Sequence, residues 1–468
     1  MAYQINRLSL LSSEARIQSP WVKVTLCGDE KNYTFGIFSK KTRGTVKDDD
    51  GFYLRNTYSV QYPNYIQSLQ VTKINGQVNQ YVLKILYPIR PTDDPNFFEK
   101  IFSNVSKTRK IIFSYGDATV PTYVYKDEEA VITTIQQSFN LESSSISYTI
   151  NAISGAALHT LGCVSFNARS NTKPSTVIKE VFNQFGLNKV FTGMSNKNWS
   201  ELVAGDDKAV DILAKTNVSV IDYIGYLVSC MYSSTCGDTQ NPKEIYIFTI
   251  HDNSTYDNLY DNGNTINGPY FKVTKVDYQI ERSDAYEIDV GYNTSTIVTQ
   301  FSIENNENYS LYYDYQREIN DHDYVRRLND NGQWEDVFAP TVLSKNINYA
   351  PRAEDKTWWT KITQFPVNAN ITIQGLLRPA QLLTYVRLNI IFPGGTGSDN
   401  TRMHIASGLY IITKQVDTID QNGYKTALSM TKVGGALLKK ESTNNTKAAS
   451  VINKPGANKA NNKMLKIK

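Results

Sequence analysis

Four histidines stand in the chain, His159, His251, His322 and His404, and none forms a His-x-x-x-His pair. A helical zinc site needs two imidazoles one turn apart, so that chemistry is not expected. Asp321-His322-Asp323 is the trio that most resembles a site. In an extended segment neighbouring side chains point to opposite faces, so the three read as a solvated polar loop. Cys230 and Cys236 are separated by five intervening residues, with His251 as the one further ligand near by, and they read as two unpaired thiols. Pro393-Gly394-Gly395-Thr396-Gly397 has the glycines of a phosphate loop but lacks the Gly-Lys-Ser/Thr ending and a following helix pattern, so it reads as a loop between strands. A paired-carboxylate glycosidase stays open at this point, because spacing in space is not readable from carboxylates scattered along a chain. The residues point to no enzyme, no cofactor and no metal.

The elements that hold these residues come from a chain of 468 residues with 40% hydrophobic and 20% charged content, the balance of a folded protein. Such a length suggests about three domains. The 31 tyrosines, with abundant Asn, Ser and Thr, lean toward strands and turns. The four cysteines, Cys27, Cys163, Cys230 and Cys236, make no disulfide framework and fit synthesis in a reducing cytosol. No apolar run reaches about 18 residues, and the N-terminus lacks the apolar core of a signal peptide, so no membrane span is expected.

Charge is unevenly spread. The formal net charge is +4, yet eight lysines and one acid from Gly434 onward give the tail +7, leaving −3 for Met1–Val433. A mildly acidic body argues against a nucleic-acid-binding core. The tail has two readings: a disordered, solubilising end, or an arm that docks on an acidic neighbour.

Along the chain, Ser68–Ile74, Asn75-Gly76 and Tyr81–Tyr87 spell a β-hairpin, since Asn-Gly between alternating apolar runs matches a type I′ turn. Thr92–Lys100 reads as a turn and short helix, Lys110–Asp117 as a strand entering a turn, and Thr133–Asn151 as one or two strands. Lys173-Pro174 opens an amphipathic helix that Gly186 closes, with apolar residues at 177, 178, 181, 182 and 185. Ala209–Lys215 and Val220–Met231 also read as helical. Strands follow at Glu244–Ile250, Tyr270–Tyr292, Asn370–Gly375, Leu383–Ile390, Gly408–Val416 and Tyr424–Met430. The texture from 293 to 363 is irregular, with Tyr312, Tyr313, Tyr315, Trp358 and Trp359. These aromatics read either as half-packed strand residues or as a contact surface.

Two stretches matter together: the hairpin followed by Thr92-Asp93-Asp94-Pro95-Asn96 and Ile111–Asp117, and the ending Ser407–Ile412 with Asn422–Met430. In this order they resemble the baseplate (tail) hub proteins of tailed phages, related to late control protein D and to the N-terminal part of VgrG spikes in type VI secretion. The resemblance runs over most of 20–433. It implies a β-rich α+β chain in which two β-barrel, tube-like modules flank a mixed α/β module, with an inserted irregular segment and a flexible basic C-terminal tail. The corresponding divisions are 1–152, a first β-barrel with an N-terminal arm; 153–250, the mixed module; 251–292 with 364–433, the second barrel; 293–363, the bridging segment; and 434–468, the tail. Closed barrels would leave no exposed edges.

The function implied is that of a structural virion protein in the tail baseplate. It would form a homotrimeric ring between a six-fold tail tube and a three-fold central spike, with DNA only passing through the lumen. Implied partners are further copies of the chain, the tail tube protein, the central spike or tail lysozyme protein, the tape-measure protein and surrounding baseplate proteins. Tyr115, Gly116, Asp117, Gly408, Tyr410, Gly423 and Tyr424 are the expected interface and fold markers, joined by Trp358 and Trp359. The rival readings are a carbohydrate- or receptor-binding tail protein and a tail-associated cell-wall hydrolase.

Overall fold

The computed structural model describes residues 20–38, 62–63, 65–89, 91, 94, 96–101, 108–117, 124–140, 142, 144–196, 198–231, 244–252, 268–277, 285–291, 298–305, 324–328, 334–338, 367–374, 382–392, 402–404, 406–420 and 423–434. The Asp321–Asp323 trio, Tyr312, Tyr313, Tyr315, Trp358, Trp359, Cys236, the loop that begins Pro393-Gly394-Gly395 and 435–468 lie outside the described residues.

The strands of the first half are β1 (Pro20–Cys27), β2 (Asn32–Phe38), β3 (Tyr62–Pro63), β4 (Ile66–Ile74), β5 (Gln80–Pro88), β6 (Lys110–Asp117), β7 (Val124–Asn140) and β8 (Ser145–Ser154). Their sequences carry the two-residue period of half-buried strands. In β5, Tyr81, Leu83, Ile85 and Tyr87 point inward while Gln80, Lys84 and Leu86 face out. Asn75-Gly76 makes the β4–β5 turn, with Gly76 at φ +73°, a left-handed conformation that costs glycine nothing. The short helix Phe97–Ile101 lays Phe98 and Ile101 on the core, where Phe98 stacks on Tyr148 with ring centroids 3.8 Å apart.

The middle of the chain is mixed: β9 (Cys163–Phe166), β10 (Arg169–Thr172), β11 (Val210–Ile212), β12 (Lys215–Ser219), β13 (Glu244–His251) and β14 (Tyr270–Asp277) form three two-stranded sheets. Two helices pack between them. Helix Pro174–Gln184 buries Val177, Ile178, Val181 and Phe182 and is followed by Gly186 at φ +63°. Its first turn is capped from a distance: Asp207 accepts from Ser175 N (2.9 Å) and Ser175 Oγ (2.6 Å). Helix Val220–Ser229 is capped by Ser219, whose Oγ accepts from Asp222 N at 3.1 Å. The helix expected over Ala209–Lys215 is instead β11 and the start of β12. Val210 and Ile212 are β-branched, three residues are too few to nucleate a helix, and β11 finds a ready partner in β10.

The later strands are β15 (Tyr286–Gly291), β16 (Val298–Asn305), β17 (Tyr324–Leu328), β18 (Trp334–Phe338), β19 (Val367–Gln374), β20 (Tyr385–Phe392), β21 (Arg402–Met403), β22 (Gly408–Asp420) and β23 (Gly423–Gly434). The segment 293–363 thus supplies β16, paired with β19, and the β17–β18 hairpin.

Among the described residues the expected pair of closed barrels is not present. One 15-stranded sheet runs β16-β19-β23-β22-β4-β5-β8-β7-β6-β1-β2-β3, with β20, β15 and β21 attached off β22. The cause lies in the closing hairpin. At 13 and 12 residues, β22 and β23 are about twice the usual strand length. One end of β22 pairs with β20 (Leu388↔Gly408 to Tyr385↔Ile411). Its other end pairs with β4 (Lys414↔Ile74 to Asp420↔Ser68). The strand that would seal the last module is therefore spent on joining it to the first. The first core draws on β1, β2 and β4–β8, and on Ile419 and Tyr424 of the closing hairpin. A second core gathers Tyr410, Ile412, Leu428 and Met430 with β15, β19 and β20. A third fills the mixed region.

Candidate functional site

The three regions meet at the β4–β5 turn, where hydrogen bonds join apolar packing: Ile247 and Val276 of the mixed region cluster with Leu409, Ile411 and Val433 of the closing hairpin, and Val78 packs on the mixed-region core. Asn75 N donates to Thr413 O of β22 (3.0 Å) and Gly76 N to Phe248 O of β13 (2.9 Å). Beside the turn is a cleft of about 410 Å³, lined by Gly76, Gly225, Tyr246, Phe248, Ile411 and Thr413.

Behind the turn lies a buried polar network. Lys73 follows Leu69 and Val71 on the inward face of β4, so its ammonium needs an anion within the fold. Glu128 of β7 supplies it. Strict alternation from Tyr125 would turn Glu128 outward, but a bulge intervenes, with Asp127 at φ +53° and a register shift opposite Phe113 and Tyr115. Ser114 Oγ accepts from Asp127 N at 3.0 Å and holds the bulge. Tyr125 and Glu128 consequently both face inward. Lys73 Nζ lies 2.6 Å from Glu128 Oε1 and 4.1 Å from the Tyr125 ring centre. Glu128 Oε2 accepts from Tyr115 Oη at 3.1 Å and lies 3.1 Å from Tyr81 Oη.

Tyr81 Oη also lies 2.6 Å from Asp252 Oδ2, at the end of β13. Asp252 further accepts from Asn79 Nδ2 (2.8 Å) and from Ser154 Oγ. Burial first, then the Glu128 charge, push the Asp252 carboxyl above its ordinary value. Burial and the neighbouring carboxylates likewise raise the Tyr81 and Tyr115 phenols well above theirs. His251, next to Asp252, stacks on Tyr270 with ring centroids 4.4 Å apart, and loss of solvent with Lys272 and Lys73 near by holds it down at about 3, hence neutral.

A second bulge, between Ile412 and Lys414, turns Gln415, Asp417 and Ile419 inward. Asp417 accepts from Thr426 Oγ1 (2.7 Å), Gln415 Nε2 (2.6 Å) and Tyr424 Oη (3.2 Å). Burial raises it to about 6 against those bonds and the Lys73 charge. Gln415 Nε2 also reaches Tyr125 Oη at 3.0 Å, closing the circuit back to β7.

Of the residues singled out in the sequence, Tyr115 and Tyr424 lie in this one network, one from each β region. Gly116 sits in β6 opposite Trp21, and Asp117 ends that strand opposite Pro20. Gly408 opens β22 opposite Leu388, and Gly423 opens β23 with its N–H on Asp420 Oδ1 (3.1 Å). Tyr410 lies in the second core, donating to Ala406 O at 2.5 Å. Among the histidines, His159 and His404 are exposed. Cys27, Cys163 and Cys230 form no disulfide among the described residues. Among the described residues no group of three or more His, Cys, Asp or Glu is arranged to hold a metal, and no helix is long and apolar enough to cross a membrane. Lys73, Tyr81, Glu128, Asp252 and Asp417 were not anticipated. A charged residue in phase with Leu69 and Val71 was the available signal for Lys73. Nothing local marks Glu128, because the bulge reverses its phase.

Fold and junction together define a scaffold: one sheet threaded through two cores and tied to a third by buried hydrogen bonds and a small apolar cluster. No family model matches the chain, and no curated protein matches it. Among solved structures it is similar to the 43 kDa tail protein of prophage MuSo2 from Shewanella oneidensis, at 9% identity over 88% of this chain and 98% of that one, with a TM-score of 0.45. It is also similar to a tail protein from Neisseria meningitidis MC58 (9% identity, 88% and 96% covered, TM-score 0.43). A third likeness is to an E. coli component of the type VI secretion system (10% identity, 80% and 76% covered, TM-score 0.38).

Proposed function

We propose that the chain is a structural protein of a phage-type tail baseplate: a homotrimeric hub joining the tail tube to a central spike, with DNA passing through its lumen. The observation that carries this reading is the shared β22–β23 hairpin. A strand bonded to β20 at one end and β4 at the other leaves no flexible linker between the two β regions, so they move as one body. A ring that must hold its bore under load needs that rigidity, and a catalyst does not. The motif order of the resemblance supports the same assignment. The body charge of −3 suits a wall along which a polyanion slides, because phosphate contacts by Lys and Arg would retain it.

In this reading Tyr115, Gly116, Gly408, Tyr410, Gly423 and Tyr424 belong to the inner frame of the hub. The finer partners are the tail tube, spike, tape-measure and neighbouring baseplate proteins. The basic tail is an arm for an acidic neighbour. The test is the mass in solution together with an electron-microscope image. Three copies in a ring with a hole of about 20–25 Å are expected, the width of a duplex whose major groove alone spans about 12 Å. A compact monomer overturns the proposal. Glycan affinity in that monomer would favour a receptor-binding protein, and cell-wall clearing a hydrolase.

A further inference from the structure

The Tyr81 hydroxyl has one proton and two carboxylate neighbours, Glu128 Oε2 at 3.1 Å and Asp252 Oδ2 at 2.6 Å. A phenol donates only once, so two ionised carboxylates there would leave one buried oxygen facing another with no hydrogen between them. One of the two acids must bring a proton of its own. Glu128 is the ionised one, since Oε1 is 2.6 Å from the Lys73 ammonium and Oε2 also accepts from Tyr115. Among the described residues no such cation stands beside Asp252: its other partners are the neutral Asn79 amide and Ser154 hydroxyl.

We propose that Asp252 is held as the neutral carboxylic acid, and that its proton, given to Tyr81 Oη while Tyr81 donates to Glu128, ties the end of β13 to the first sheet. The tie joins strands far apart in sequence: β13 through Asp252, β5 through Tyr81, β7 through Glu128 and β8 through Ser154. Among the described residues the titratable groups facing Asp252 are Tyr81 from β5 and Glu128 from β7. Lys73 of β4 and Tyr115 of β6 stand beyond Glu128, and His251 precedes it on β13, held neutral. Hydrogen bonds from Ser154, Tyr81 and Asn79 favour the ionised form, but burial and the Glu128 charge outweigh them. Losing the proton sets a second negative charge against Glu128 across a single phenol, so the mixed region is clasped to the sheet in acid and loosened as the pH rises.

Difference infrared spectroscopy of the full chain against Asp252→Asn tests this. At mildly acidic pH, above the range where an exposed aspartic acid has ionised, the wild-type chain is expected to show a protonated-carboxyl band that the variant lacks. Asp252→Asn keeps a donor toward Tyr81 and should hold the wild-type urea midpoint, with a weaker fall as pH rises. Asp252→Ala should lower the midpoint throughout. Absence of the band, or an Asp252→Asn variant that unfolds as readily as Asp252→Ala, overturns the proposal.

Discussion

Lys73 and Glu128, 55 residues apart in the chain, form an ion pair of 2.6 Å with the carboxylate wholly buried and the ammonium nearly so. A pair this deep is costly to build and more costly to break, because removing one partner leaves the other charged and without water. Glu128→Gln is expected to lose about 3–5 kcal/mol of stability. Replacing both residues with apolar side chains of similar volume should recover part of that loss. Urea unfolding midpoints of the single and double variants check both statements.

Asp417 provides a pH dependence. Burial lifts its carboxyl to about 6 in the folded chain, from its ordinary 3.8. The folded state therefore holds a proton that the unfolded state releases more readily. The associated stability is fully present below the unfolded value and is lost as pH rises through about 6. A rise of that size corresponds to on the order of 3 kcal/mol. Unfolding measured across that range should show the decline, and Asp417→Asn should remove this part of it.

Two glycines separate backbone strain from steric collision. Gly76 has φ +73°, but a methyl group there would meet the Phe248 ring only at 3.7 Å. Gly76→Ala should therefore cost the conformational term alone, about 1–2 kcal/mol. Gly291 has φ +111°, and a methyl group would lie 2.2 Å from Ile391 O of the paired strand. Gly291→Ala must part β15 from β20 and should be clearly the more destabilising in thermal unfolding.

Ser219 heads the helix Val220–Ser229, accepting from Asp222 N. Ser219→Ala should cost about 1 kcal/mol. Ser219→Thr, which keeps the hydroxyl that accepts from Asp222 N and donates to its carboxylate, should restore most of it, read from the same denaturant curves.

Local chemistry was legible. The hairpin around Asn75-Gly76 was readable because a left-handed turn and two alternating runs are properties of adjacent residues. The helix Pro174–Gln184 was readable because proline, apolar spacing and a following glycine lie within thirteen residues. Ala209–Lys215 was misread because so short an apolar run has no period of its own, and β10 across the sheet settled it as strand.

The sequence by itself determined the strand-rich character, the position of most elements, the split between a −3 body and a +7 tail, and the order of motifs. Tertiary structure alone decided how the strands are shared. Alternation shows which face of β22 is buried but not that one end bonds to β20 and the other to β4, because pairing partners lie hundreds of residues away. It also decided the polar junction. Two bulges, each one residue of extra chain, reverse the phase of β7 and β22 and turn Glu128 and Asp417 from solvent into the core. Only there, without water, do Tyr115 and Tyr424 find the carboxylates that bind the chain's two halves together.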